Sequence, residues 1–105
     1  MLFRSDTDYN YAYYPILIEA GDAGARDRIK EEMGSLGVYP RKYFYPLISN
    51  TAAYRDLASA LPESLPIANA VAGEVLCLPL HQDLTTADQT RVIEAFAAAY
   101  RKHCA

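Results

Sequence analysis

The sequence predicts an α+β fold, a small mixed or antiparallel sheet backed by helices, and three observations carry that prediction. Two runs of β-favouring apolar residues, Tyr11 to Glu19 and Val75 to Leu78, lie far apart in the chain. Between and after them, apolar residues recur at helical spacing on one face only, so those segments must lie against something. Strands and helices alternate within 105 residues, a length that one hydrophobic core can serve.

The elements follow in chain order. Met1 to Tyr9 contains Arg4, Ser5, Asp6, Thr7 and Asp8 without a periodic pattern, and reads as a flexible arm or linker remnant; residues 10–105 form the single domain. From Tyr11 to Glu19 both alternating sets, Tyr11/Tyr13/Leu17 and Tyr14/Ile16/Ile18, are largely apolar, which suggests a strand covered on both faces or joined to a larger partner. Pro15 has no N–H to give a ladder, so it places this strand at an edge or at a bulge. Gly21-Asp22-Ala23-Gly24 then opens a helix with Asp22 as its N-cap, Ala25, Ile29, Met33 and Leu36 as its apolar face, and Gly37 as its stop. A phosphate cradle at that glycine-rich turn is rejected, because Asp22 would repel an anion there.

A second helix is expected after Asn50, with Tyr54, Leu57, Ala58 and Leu61 on one face and Pro62 closing it. Pro66 begins a short alanine-rich helical turn through Ala72, ended by Gly73. Val75 to Leu78 reads as a buried strand bounded by Pro79. Thr86 opens the last helix with Gln89 completing a capping box, and Val92, Ile93, Phe96, Ala97 and Tyr100 form its apolar face.

Composition removes several function classes. A net charge of −3 with ten scattered cations gives no nucleic-acid footprint. No apolar run approaches the roughly 20 residues of a membrane helix, and the first ten residues lack a signal-peptide core, so the expected location is the cytoplasm. Cys77 and Cys104 read as free thiols, and neither has a metal-ligand spacing to His81 or His103.

The densest segment is Val38-Tyr39-Pro40-Arg41-Lys42-Tyr43-Phe44-Tyr45-Pro46-Leu47-Ile48. Pro40 and Pro46 bias Tyr39 and Tyr45 toward extended geometry, so the segment is expected as a short strand or rigid loop that holds Arg41 and the rings in fixed directions. A fixed cation beside aromatic rings suits an anionic, ring-bearing ligand. The competing reading makes Tyr43 and Phe44 core residues and Arg41 and Lys42 a solvated tip.

Together with Asn10-Tyr11-Ala12-Tyr13-Tyr14-Pro15-Ile16-Leu17-Ile18, Leu65-Pro66-Ile67-Ala68 and Val75-Leu76-Cys77-Leu78-Pro79-Leu80, this segment resembles the C-terminal part of the DegT/DnrJ/EryC1/StrS family. Members are pyridoxal-phosphate-dependent aminotransferases of nucleotide-linked keto sugars. The resemblance spans about Asn10 to Tyr100. It implies the small C-terminal domain of a fold-type I aminotransferase, without the large domain that carries the imine lysine, the acid paired with the pyridine nitrogen and the phosphate-binding loop. It further implies a homodimer with shared active sites, and a small domain that closes over the cofactor cleft and lends side chains to the sugar-nucleotide entrance. Carried onto this chain, those substrate-binding side chains are Arg41, Tyr43 and Tyr45, with Lys42 and His81 as weaker members. Arg41 would neutralise a diphosphate or a carboxylate, and the tyrosines would bond sugar hydroxyls or cover a base.

No catalytic residue is expected. The imine of a transaminase requires a desolvated lysine, and none of the three sits in an apolar pocket pattern: Lys30 lies on the polar face of the first helix beside Arg26, Lys102 at the exposed terminus, and Lys42, the least implausible candidate, in the aromatic segment. The serines lack a nucleophile-elbow context, and His81 reads either as a turn residue or as a donor at a domain boundary. The leading expectation is therefore a domain of an enzyme that aminates a dTDP- or GDP-linked keto-deoxy sugar with a donor such as glutamate. On that reading pyridoxal phosphate belongs to the complete enzyme and none is expected on this chain alone. A free-standing ligand-binding or assembly module, or a structural remnant, is the alternative.

Overall fold

The computed structural model describes residues 6–104, so the first half of the expected N-terminal arm, residues 1–5, lies outside the described residues. Five main elements follow: strand β1 (Tyr14–Leu17), helix α1 (Ala25–Ser35), helix α2 (Pro66–Glu74), strand β2 (Val75–Leu78) and helix α3 (Thr86–Cys104). The two strands pair antiparallel, Tyr14 opposite Leu78 and Leu17 opposite Val75, and α1 packs between this sheet and α3. The architecture is thus the small α+β layer that the alternation of elements predicts.

The strand that forms is shorter than the sequence pattern, four residues in place of Tyr11 to Glu19, and it is not covered on both faces, since Tyr14 and Leu17 are exposed. Pro15 fits for a geometric reason. It lies opposite Cys77, whose own N–H and C=O turn the other way and bond Arg41. In an antiparallel ladder such a pair exchanges no backbone bonds, so the missing proline N–H leaves no partner unsatisfied and faces the open edge.

Helix α1 ends as its sequence dictates. Gly37 takes a φ of +82°, its N–H donates to the Gly34 carbonyl at 3.0 Å, and the Val38 N–H reaches back to Met33 at 2.9 Å. This is a Schellman close, with Val38 and Met33 both in the core. The start differs from expectation. Asp22 does not cap; its Oδ1 accepts the Gly24 N–H at 3.0 Å in a local turn, its other oxygen pairs with Arg28, and the helix begins two residues beyond Ala23 with Gly24 in the cap position.

The helix expected after Asn50 is absent. Residues 48–64 instead make three single 3₁₀ turns, Ile48–Asn50, Ala58–Ala60 and Pro62–Ser64. Thr51 and Leu57 between them are extended, and Asn50 bonds Asn69 rather than its own backbone. Its intended apolar face explains why: Tyr54 and Leu57 are half exposed, and an amphipathic helix without a surface to cover has little to hold it. The Cα radius of gyration is 15.6 Å, above the about 13 Å of a compact domain of this length. The segment 38–48, expected as a short strand or rigid loop, is an irregular stretch with one bridge, Arg41 opposite Cys77.

At α3 the capping box forms one residue earlier than expected. Thr85 Oγ1 accepts the Asp88 N–H at 3.1 Å, and Asp88 Oδ2 accepts the Thr85 N–H at 3.4 Å, so the pair is Thr85/Asp88 rather than Thr86/Gln89. The buried stripe of α3 is Val92, Ala95 and Ala99, with Phe96 beside it, while Ile93 and Tyr100 face outward. Alanines win the interior because α1 approaches closely there, opposite Ile29 and Met33.

Helix α2 runs past Gly73 to Glu74 and turns directly into β2, which strands its last carbonyls. Arg26, a charged residue of α1 buried at 4% exposure, answers two carbonyls at this junction. Its Nη1 donates to the Ala72 carbonyl at 2.8 Å and to the Val75 carbonyl at 2.9 Å, and its Nε donates to Asp27 at 2.7 Å.

Replacing Arg26 by Ala removes three charge-assisted bonds and leaves both carbonyls without this donor, so the expected loss of stability is about 2 to 5 kcal/mol. Thermal unfolding should show a drop of about 10 °C or more. Arg26→Lys should recover only part of it, because an ammonium cannot reproduce the planar fork. A melting temperature unchanged in Arg26→Ala contradicts the assigned role.

Candidate functional site

The Arg41–Cys77 bridge, with N···O distances of 3.0 and 2.7 Å, extends the strand layer by one residue on the side of β2 away from β1. Extended geometry at that point alternates side chains. Tyr39, Arg41 and Tyr43 consequently share one side, and Lys42 turns to the other. A cleft of about 380 Å³ lies on the first side, lined by Tyr13, Tyr39, Arg41, Tyr43 and Cys77 and closed by Pro79, Leu80 and His81 from the turn after β2.

Of the residues expected to bind substrate, the structure therefore brings Arg41, Tyr43 and His81 into one cleft. Arg41 is exposed, and among the described residues no carboxylate pairs with its guanidinium. Tyr43 is part of a ring cluster: it stacks on Phe44 at 4.9 Å between centroids and receives Tyr13 edge-on at 5.6 Å. A free guanidinium beside exposed rings can take an anion and a flat group together. Cys77 lies at the floor, its Sγ 3.9 Å from the Tyr43 carbonyl, and burial pushes its thiol up, so it remains a neutral wall.

Tyr13 and Tyr39 were not among the expected binding residues. Tyr39 carries a legible signal, since it stands two residues before Arg41 in an extended segment. Tyr13 carries none, because its approach depends on how β1 pairs. A second hollow of about 460 Å³ lies between the strand ends and α3, lined by Tyr14, Leu78, Leu84, Val92 and Ile93. It contains no lysine or arginine, shares Pro79, Leu80 and His81 with the first cleft, and is mainly apolar.

Lys42 and Tyr45 do not line the cleft; they turn toward α1. Lys42 Nζ lies 3.4 Å from Asp27 Oδ1 and 4.7 Å from the centre of the Tyr45 ring. The Arg26 guanidinium lies 5.1 Å from that same ring. Two cations thus contact one tyrosine, and Asp27 joins them. Partial burial raises the Asp27 carboxyl, but the hydrogen bond from Arg26 and the charges of Arg26 and Lys42 outweigh it and hold the group below its ordinary value.

Among the described residues no group of three or more His, Cys, Asp or Glu gathers to hold a metal ion, and no helix is long and apolar enough to cross a membrane.

Comparison with known proteins adds a further line. A model of the DegT/DnrJ/EryC1/StrS aminotransferase family matches residues 2–97. A dTDP-4-amino-4,6-dideoxy-D-glucose transaminase of Escherichia coli is 52% identical over 79 residues, covering 75% of this chain and 21% of that protein. A transaminase of the same name from Shigella dysenteriae is 32% identical over 77 residues, covering 73% of this chain and 20% of that protein. The chain spans about a fifth of the length of these relatives. No solved structure matches it.

The Asp27 geometry fixes a pH response. A carboxyl whose folded value is depressed adds stability that is present above its unfolded value, about 3.9, and is lost as pH falls through the folded one. NMR titration of the side-chain carboxyl should place the Asp27 midpoint below 3.8, and Lys42→Met should move it upward. A midpoint at or above the ordinary value contradicts the pairing.

Proposed function

Because the chain belongs to the DegT/DnrJ/EryC1/StrS aminotransferase family, we propose that it is the small C-terminal domain of a transaminase of dTDP-linked sugars. The complete enzyme, on this reading, aminates a keto-6-deoxyhexose with an amino-acid donor such as glutamate, in the cytoplasm and as a homodimer. The domain supplies the cleft of Arg41, Tyr43 and His81 to the sugar nucleotide. The observation that carries the reading is the unpaired Arg41 guanidinium beside exposed rings, within a stretch half identical to an enzyme whose substrate is a nucleotide-linked sugar. Arg41 binds the phosphates as a forked donor, and Tyr13, Tyr39 and Tyr43 offer faces and hydroxyls to the sugar or base.

Pyridoxal phosphate supplies the amine-transfer chemistry in such enzymes, and the side chains here do not fit it. An imine needs an amine that is desolvated and unpaired. Lys42 is committed to Asp27 and Tyr45, Lys102 is 62% exposed and bonded to Glu32, and none of the three lysines lines the cleft. The cofactor therefore belongs to the remainder of the enzyme, and this domain is inactive alone.

Surface composition supports an incomplete unit. Tyr14, Phe44, Ile48, Ile67 and Ile93 are all more than half exposed, more large apolar surface than a solitary domain of this size comfortably leaves in water. Light scattering of the 105-residue chain should show self-association, with dye-detected apolar surface. A monodisperse monomer that binds no dye favours the free-standing module.

Two further measurements test the assignment. After mixing with pyridoxal phosphate and borohydride reduction, mass spectrometry should find no stoichiometric adduct at one lysine; such an adduct on Lys42 overturns the non-catalytic reading. In the E. coli relative with its matching segment replaced by this chain, Arg41→Ala should raise the KM for the sugar nucleotide about 10- to 150-fold, the worth of one charge-assisted bond, with little change in melting temperature. An unchanged KM with a lowered melting temperature makes Arg41 structural and removes the cleft from consideration.

A further inference from the structure

We propose that Asp27, Lys42 and Tyr45 form a clamp on the back of the site segment, and that its role is to position Arg41 and Tyr43 for the ligand. The inference rests on the cleft being the sugar-nucleotide site, and it assigns Lys42 and Tyr45, the two of the five expected binding residues that do not line the cleft.

The backbone of Arg41 is tied to Cys77 by two bonds, which fix that residue but not the path of the chain after it. The second tie comes from the opposite side. Lys42 reaches Asp27 at 3.4 Å, and Lys42 and Arg26 contact the Tyr45 ring at 4.7 and 5.1 Å. Arg26 does not yield, because two carbonyls from the α2–β2 junction hold it in the interior. Tyr43 therefore sits between two fixed points, Arg41 on β2 and Tyr45 on α1. Such bracing holds the binding rings in one arrangement before the ligand arrives, and the ordering entropy is not drawn from binding. Since neither Lys42 nor Tyr45 touches the cleft, their effect on the ligand passes through the segment alone.

The test uses the 105-residue chain, dTDP as probe and NMR as readout. Lys42→Met removes the cation and Tyr45→Leu removes the ring, while Lys42→Arg and Tyr45→Phe keep them. A partly buried cation–ring contact corresponds to about a 3- to 30-fold change. The first two variants should weaken dTDP binding by that factor and speed exchange of the Arg41 amide, with the melting temperature lowered by no more than about 15 °C and the fold retained at 25 °C. Both conservative variants should restore affinity to within about twofold of the parent. Three results overturn the clamp: unchanged affinity and exchange in Lys42→Met and Tyr45→Leu, a loss of affinity that Tyr45→Phe does not rescue, or a collapse of the melting temperature that makes the contacts merely structural. If the unaltered chain fails to bind dTDP at all, the reading of the cleft fails, and the Arg41 amide still decides the clamp: exchange unchanged by either disruptive variant sinks it, and acceleration reversed by the conservative ones supports it.

Discussion

A single buried guanidinium sets the terms for the rest of this domain. Arg26 enters the interior carrying a charge that is expensive to desolvate, and it is admitted only because every direction is answered. Two main-chain carbonyls and one carboxylate meet its N–H groups, and a tyrosine ring meets its face. The exchange works both ways. Helix α2 runs into β2 without a loop, so its last carbonyls have no intrahelical donor, and the positive end of Arg26 lies where the helix dipole is negative. Remove the guanidinium and the abrupt helix-to-strand passage loses its justification; remove the passage and a buried cation is left unpaired.

From that anchored junction, β2 extends as the one strand with neighbours on both sides. Leu76 and Leu78 bond toward β1, and Cys77 bonds toward Arg41. The alternation inherent in an extended chain then does two jobs: it places Pro15 where no donor is needed, and it presents Tyr39, Arg41 and Tyr43 to one side while Lys42 turns to the other. The face that lines the cleft and the face that packs on α1 are thus the two sides of one short segment. Among the described residues no carboxylate pairs with Arg41, while Asp27 is occupied by Arg26 and Lys42. Separating the cations in this way keeps one of them available for a ligand.

The excursion from Phe44 to Leu65 obeys a different logic. It is rich in apolar residues, yet it packs few of them, and its backbone settles into isolated 3₁₀ turns closed by short side-chain bonds such as Thr51 to Ile48 and Ser64 to Ala58. Amphipathic pattern without a surface to bury against gives local turns rather than a helix.

Read from the sequence alone, the domain is determined wherever a local rule suffices. Gly37 with Val38 behind it specifies the close of α1 by backbone freedom and a hydrophobic contact, Pro15 specifies an edge, and the crowding of rings and cations in 38–48 specifies where a ligand site is to be sought. Even Arg26 was within reach, since it falls three and seven residues before Ile29 and Met33 on the same helical stripe, but its charge argued for the outside. What only the tertiary structure decided is which partner each group finds. Tyr54 and Leu57 have the spacing of a helix and no surface to cover, Thr85 takes the cap from Thr86 because of where the chain enters α3, and Tyr13 reaches Tyr43 only through the register of β1 on β2. Lys42 leaves the cleft for α1 because the strand-like path of Arg41 alternates its neighbours and because Asp27 waits behind it, whereas Tyr45, of the same parity as Tyr43, turns to α1 beyond the one bridged residue, where Arg26 and Lys42 meet its ring. Spacing fixes which side chains share a face, whereas the occupant of the opposite side is set by packing between elements distant in the chain.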